Sequence, residues 1–116
     1  MQFEHTTDQD IEIVRLPNRV LMADARATKT FLRGLIDRPQ PLIALDMSDV
    51  EYIDSSGLAV LVNCLQTCRR NSGNVCLFGL RDTVKTLFEL TRLNTVFPIV
   101  KRRHEALERL TLRMTG

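Results

Sequence analysis

The sequence predicts an α/β fold: a single mixed sheet, parallel at its centre and opened by an N-terminal hairpin, with about four crossover helices. Three observations carry that prediction. Leu42-Ile43-Ala44-Leu45 and Val75-Cys76-Leu77-Phe78 are short continuous apolar runs, the pattern of strands covered on both faces. The segments between and after them carry apolar residues at helical spacing instead. Breakers separate the two kinds of segment, namely Asp37-Arg38-Pro39-Gln40-Pro41 and Asn71-Ser72-Gly73-Asn74.

Taken in order, the chain begins with two strands, near Phe3 to Thr7 and Ile11 to Leu16, joined by the turn-like Asp8-Gln9-Asp10. Pro17-Asn18 ends the second, and Val20-Leu21-Met22 leads into a helix from about Ala23 to Ile36. Thr28, Phe31, Leu32, Leu35 and Ile36 lie on one face of it. After the first apolar strand, a second helix runs from about Ser56 to Arg70. Its inward stripe is Leu58, Leu61, Val62, Leu65 and Cys68, and Ala59, Asn63, Gln66 and Arg70 face away. Gly73 is expected near the C′ position that closes this helix. Gly79-Leu80-Arg81-Asp82 opens a third helix with Val84, Leu87, Phe88 and Thr91 on one side. Val96 to Val100 reads as a last strand, placed at a sheet edge by Pro98. Arg102 to about Met114 closes the chain as a helix with Leu107, Leu110 and Met114 aligned.

Size and composition bound the function. At 116 residues, 1–116 is read as a single domain. An apolar fraction of 44% with 26% charged residues is that of a soluble globular protein rather than a disordered one. The longest apolar run, Leu58 to Val62, is too short to span a bilayer, and Met1-Gln2-Phe3-Glu4-His5 lacks the features of a signal peptide. A cytoplasmic location without membrane insertion is expected. The net charge of +2 and the scarcity of aromatics give no nucleic-acid stripe, and Lys101-Arg102-Arg103 reads as a solvated helix start. Three cysteines argue against a disulfide framework. Cys64 and Cys68 have a spacing that can share a metal, but no second ligand pair accompanies them, so small thiols packed in the core are expected and no metal.

The chemistry concentrates in Asp54-Ser55-Ser56-Gly57, which stands between a strand and an amphipathic helix. Two hydroxyls and a carboxylate at a helix N-terminus lie where free N–H groups and the positive dipole end attract anions. A serine there can cap the helix or carry a phosphate. Gly57 is expected to leave the N–H donors open to a bulky group. A catalytic serine is not expected, because neither His5 nor His104 has an evident route to it and the segment is not a Gly-x-Ser-x-Gly elbow. No Gly-x-x-x-x-Gly-Lys loop occurs either, so no enzymatic activity, catalytic residue or cofactor is assigned.

These residues resemble the STAS domain family, and within it the bacterial anti-sigma factor antagonists. The likeness runs through Leu42 to Asp46, Tyr52 to Leu61, Gly73 to Leu77, Val84 to Leu93 and the closing Phe97-Pro98-Ile99 and Glu105-Ala106-Leu107. It implies a STAS-like sheet and a phosphorylation-switched binding module. In the unphosphorylated form such a module binds an anti-sigma factor that is also a serine kinase, and so frees a sigma factor. The kinase phosphorylates the first serine after the aspartate, here Ser55 rather than Ser56, and a serine phosphatase reverses it. Asp54, Ser56 and Gly57 would surround the phosphate, and Leu58, Ala59 and Asn63 would touch the partner. An apolar contact there, with the loop Met47 to Ile53, would be penalised by the new charge, to which Asp49 and Glu51 add. The sequence departs from the family in Asn18-Arg19-Val20-Leu21, where Leu21 occupies the place of an aspartate and Asp24 follows three residues later. The alternative implied by the resemblance is a constitutive STAS subunit of a transporter complex or signalling scaffold, not phosphorylated.

Overall fold

Both apolar runs become central strands of a five-stranded sheet. The computed structural model describes residues 3–115, with side chains as far as residue 112. The strands of the main sheet are β1 (Glu4–Asp8), β2 (Ile11–Arg15), β4 (Leu42–Asp46), β6 (Asn74–Phe78) and β7 (Ile99–Val100), adjacent in that order. β1 and β2 pair antiparallel and every other pair in the sheet is parallel. The hairpin closes through Gln9 and Asp10, both at positive φ (54° and 65°), a two-residue turn whose twist suits the strands it joins.

Helices α1 (Met22–Ile36), α2 (Ser55–Arg70), α3 (Asp82–Leu90) and α4 (Arg103–Thr115) cover the sheet. Alternate residues of each strand supply two cores. Val14, Ile43, Leu45, Val75 and Leu77 face α1, α2 and α3 through Leu32, Leu61, Leu65 and Phe88. Ile11, Ile13, Leu42, Ala44, Cys76 and Phe78 face α4 through Ala106 and Leu110. That two-sided burial explains why β4 and β6 read as unbroken apolar runs. Met114, expected on the inward stripe of α4, lies outside the residues whose side chains are described.

Several expectations change. Two-residue strands β3 (Arg19–Val20) and β5 (Tyr52–Ile53) pair in a small parallel sheet of their own, invisible to periodicity because two residues have none. The expected strand Val96 to Val100 is only Ile99–Val100. It is preceded by a 3-10 turn at Leu93–Thr95, from which Phe97 turns inward to meet Phe88 edge-on at 5.9 Å. On α2, Val60 and Cys64 are buried and Val62 only half-buried, because this helix packs against α1 as well as the sheet. Gly73 is not the left-handed residue after α2; Ser72 is, at φ 66°. A β-carbon on Gly73 would lie 1.9 Å from the Pro41 carbonyl oxygen, so glycine is required there for close packing.

The cysteines are free and buried. Cys64 is raised by its hydrogen bond with Cys68 and by burial, and burial pushes Cys76 up to about 11, so these two thiols stay protonated. Glu12 is buried on the helical face and bound by His5, by Thr7 at 2.9 Å and by Arg38 at 2.7 Å. Burial alone would raise its pKa, but these bonds outweigh burial and hold it below the ordinary glutamate value. The cluster ties the hairpin to the segment after α1.

Candidate functional site

The start of α2 is built by one carboxylate. Asp54 has extended backbone (φ −113°, ψ −173°) and is the N-cap, its Oδ1 accepting from the Gly57 N–H at 3.0 Å. Its Oδ2 accepts from the Met22 N–H at 2.9 Å, at the start of α1. One side chain therefore satisfies free donors of two helices and holds their N-termini together. The Gly57 bond is the main cause that keeps the Asp54 pKa below the ordinary aspartate value; a smaller opposing effect of burial is outweighed, with help from the Met22 and Ser56 N–H groups.

Capping by a serine is thereby excluded, and the helix starts one residue earlier than its sequence pattern predicts. Ser55 is exposed and Ser56 half-buried, both inside the first turn. Among the described residues, neither hydroxyl takes part in a hydrogen bond. Gly57 serves packing rather than access. It is buried, its N–H is taken by Asp54, and a β-carbon on it would stand 2.1 Å from the Val20 carbonyl oxygen and 2.8 Å from Ile53 Cγ1. The glycine lets the start of α2 rest on the β3–β5 pair.

The loop before β5 is tethered. Met47 and Val50 are buried. Asp49 is gripped twice by Arg15, with Nε to Oδ2 at 2.9 Å and Nη2 to Oδ1 at 3.0 Å. Glu51 lies 3.6 Å from Arg81, whose Nε donates to the Ser48 carbonyl at 2.9 Å. The Asn18 carbonyl accepts from the Glu51 and Tyr52 N–H groups at 2.9 and 3.1 Å. The like charge expected from Asp49 and Glu51 is therefore countered inside the domain.

The expected contact residues divide. Ala59 and Asn63 are exposed, one and two turns along α2 from Ser55 on the same face. Leu58, at 9% exposure, is buried and belongs to the core, as do Val60, Met47 and Val50, so these side chains of the expected apolar contact are not on the surface, whereas Tyr52 of the loop Met47 to Ile53 is. The exposed apolar surface beside the site is Tyr52 (55%) from that loop together with Met22 (73%). At the start of α1, Leu21 occupies the cap position without a side-chain cap, and Asp24 reaches back to the Leu21 N–H at 3.0 Å. Asp24 thus serves its own helix.

The protein-family model of the STAS domain matches residues 2–106. The chain belongs to the STAS family. The anti-sigma-B factor antagonist of Listeria monocytogenes is 36% identical over 58 residues, and the match spans about half of each chain, 50% of this one and 51% of the relative. A Thermotoga maritima protein, provisionally named an anti-sigma factor antagonist, is 30% identical over 101 residues, covering 85% of this chain and 89% of that one. The crystal structure of a T. maritima protein with the same provisional name superposes at a TM-score of 0.87 with 28% identity, covering 94% of each chain. This STAS domain is thus of the anti-sigma factor antagonist type, and among its described residues no helix is long and apolar enough to cross a membrane. Sequence reasoning misses Met22, and includes Tyr52 only as part of the loop Met47 to Ile53. Met22 reaches the site through a bond to Asp54, 32 residues away, and no local pattern signals such a pairing.

Proposed function

We propose that this STAS domain is a phosphorylation-switched binding module. It holds an anti-sigma factor with serine kinase activity while Ser55 is free, and releases it once Ser55 is phosphorylated. A serine phosphatase restores the binding form. The observation that carries the reading is the division of labour at the helix start: Asp54 makes the cap, leaving an exposed Ser55 hydroxyl without a structural bond. The names of its relatives support the partner class.

The switch follows from charge. A phosphate on Ser55 adds about −1.5 to −2 charges and three acceptor oxygens. The two converging helix N-termini tolerate that charge, so the domain stays folded. Asp54 already occupies the nearest donors, so the phosphate projects outward towards Met22, Tyr52 and Ala59. A partner covering those residues must then desolvate a dianion, and a penalty of about 3 kcal/mol weakens binding by roughly two decades. The proposed contact set is Ala59 and Asn63 with Met22 and Tyr52. The test is to capture the partner from the native host with the unmodified chain, incubate the pair with ATP, and map the phosphopeptide. Phosphate on Ser55 supports the reading; phosphate only on Ser56, or none with an active kinase, contradicts it.

A further inference from the structure

A groove of about 340 Å³ runs between α1 and α2, beside the outward strip formed by Ala59, Asn63 and Arg70. Its floor is apolar, with Leu32 and Val60 buried in it, while Lys29 and Arg33 line it from α1 and Arg70 from α2. Asp37 is the one carboxylate in its lining. Three arginines outside the groove are paired with carboxylates, Arg15 with Asp49, Arg38 with Glu12 and Arg81 with Glu51, while other surface cations, Arg19, Arg26 and Lys85 among them, are solvated. Among the described residues no ion pair engages Lys29, Arg33 or Arg70, and the Arg70 guanidinium donates only to the Thr67 hydroxyl, at 3.0 Å. What sets the groove apart is convergence: three cations from two helices line one apolar-floored groove against the single carboxylate of Asp37.

We propose that this groove is the second anchor of the partner interface and receives an acidic segment of the anti-sigma partner, whose carboxylates pair with Lys29, Arg33 and Arg70. The inference rests on the partner reading above. Continuity favours a protein segment, because Asn63 belongs both to the groove lining and to the strip that leads to Ser55. From Ser55 to Arg70 the helix extends roughly 22 Å, which suits a protein contact better than a small ligand. Charges at the rim of an interface act mainly on the association rate and its salt dependence, whereas the phosphate acts where apolar surface is covered. One surface would thus contain an attractive element at its far end and a switch at its near end.

The experiment measures association of the captured anti-sigma partner with three chains by surface plasmon resonance at several salt concentrations. These are the unmodified chain, the triple variant Lys29→Gln, Arg33→Gln, Arg70→Gln, and the triple variant Lys29→Glu, Arg33→Glu, Arg70→Glu. The neutral variant is expected to associate roughly tenfold more slowly at low salt, with little change in dissociation and a flattened salt dependence. The reversed variant is expected to lose more. Circular dichroism verifies folding, and the neutral variant decides the matter if the reversed one does not fold. An unchanged association rate and salt slope in a folded variant overturns the groove proposal. If Ala59→Arg then still abolishes binding, the partner reading stands and only the groove falls; if it does not, both fall. Shifts of groove resonances with pyrophosphate, in a protein whose partner kinetics ignore the variants, would overturn the proposal by placing a small anion there.

Discussion

Replacing Gly57 with alanine tests how the site is held. An alanine β-carbon would lie 2.1 Å from the Val20 carbonyl oxygen and 2.8 Å from Ile53 Cγ1. The first distance is more than an ångström short of van der Waals contact, and the obstacle is backbone rather than a mobile side-chain tip. Either α2 lifts from β3 or the β3–β5 pair opens. Overpacking of this kind costs about 3 kcal/mol, from which the better helix propensity of alanine returns up to about 1 kcal/mol. The expected net loss is about 2 kcal/mol, or roughly 8 °C in Tm for a domain of this size. Gly34 is the internal control: it is exposed within α1 and a β-carbon there meets nothing within 4 Å. Gly34→Ala should therefore raise stability by about 0.5–1 kcal/mol. Thermal melts and urea titrations of both variants read the signs. A Gly57→Ala protein as stable as its parent would refute the close approach of α2 to β3, and with it the account of how Ser55 is presented.

Three further predictions concern the same region and the core. Ala59→Arg should abolish partner binding while changing stability by no more than about 0.5 kcal/mol, whereas Leu58→Ala should cost about 3 kcal/mol through cavity formation; calorimetry and melts separate the two. Asp54 has a folded pKa below its unfolded value, so its contribution to stability is present above about pH 4 and is lost as pH falls through the folded value. Asp54→Asn should accordingly lower Tm at neutral pH and flatten its decline below about pH 4, measured by melts across an acid series. Because Cys64, Cys68 and Cys76 are buried, an aromatic disulfide reagent should react slowly with the native chain and with three thiols after unfolding; rapid reaction at neutral pH would contradict the packing of α2.

Legibility in the sequence followed the length of each signal. β4 and β6 are plain because burial on both faces makes every residue apolar, and α2 because its stripe repeats over four turns. β3 and β5 are two residues each, too short for any pattern, and they exist because they pair with each other and the Asn18 carbonyl offers a partner, whereas β7 is legible but shorter than its apolar run. At the site, Asp54-Ser55-Ser56 presents three side chains able to cap one helix, and only the extended backbone of Asp54 decides among them. At Gly57 and Gly73 the sequence shows that glycine is needed but not why, because the neighbours that exclude a side chain, Val20 and Pro41, are distant in sequence. Leu58 cannot serve both the core stripe and the partner surface, and its helical spacing with Leu61 and Leu65 settles it for the core.

The central claim is that phosphate on Ser55 controls binding without refolding the domain. The most direct measurement is isothermal titration of the anti-sigma partner with the unmodified chain and with chain phosphorylated at Ser55 alone, alongside circular dichroism of both. Superimposable spectra and an affinity lower by roughly two decades for the phosphorylated form are expected. Equal affinities, or a loss of affinity that accompanies a loss of structure, would contradict it.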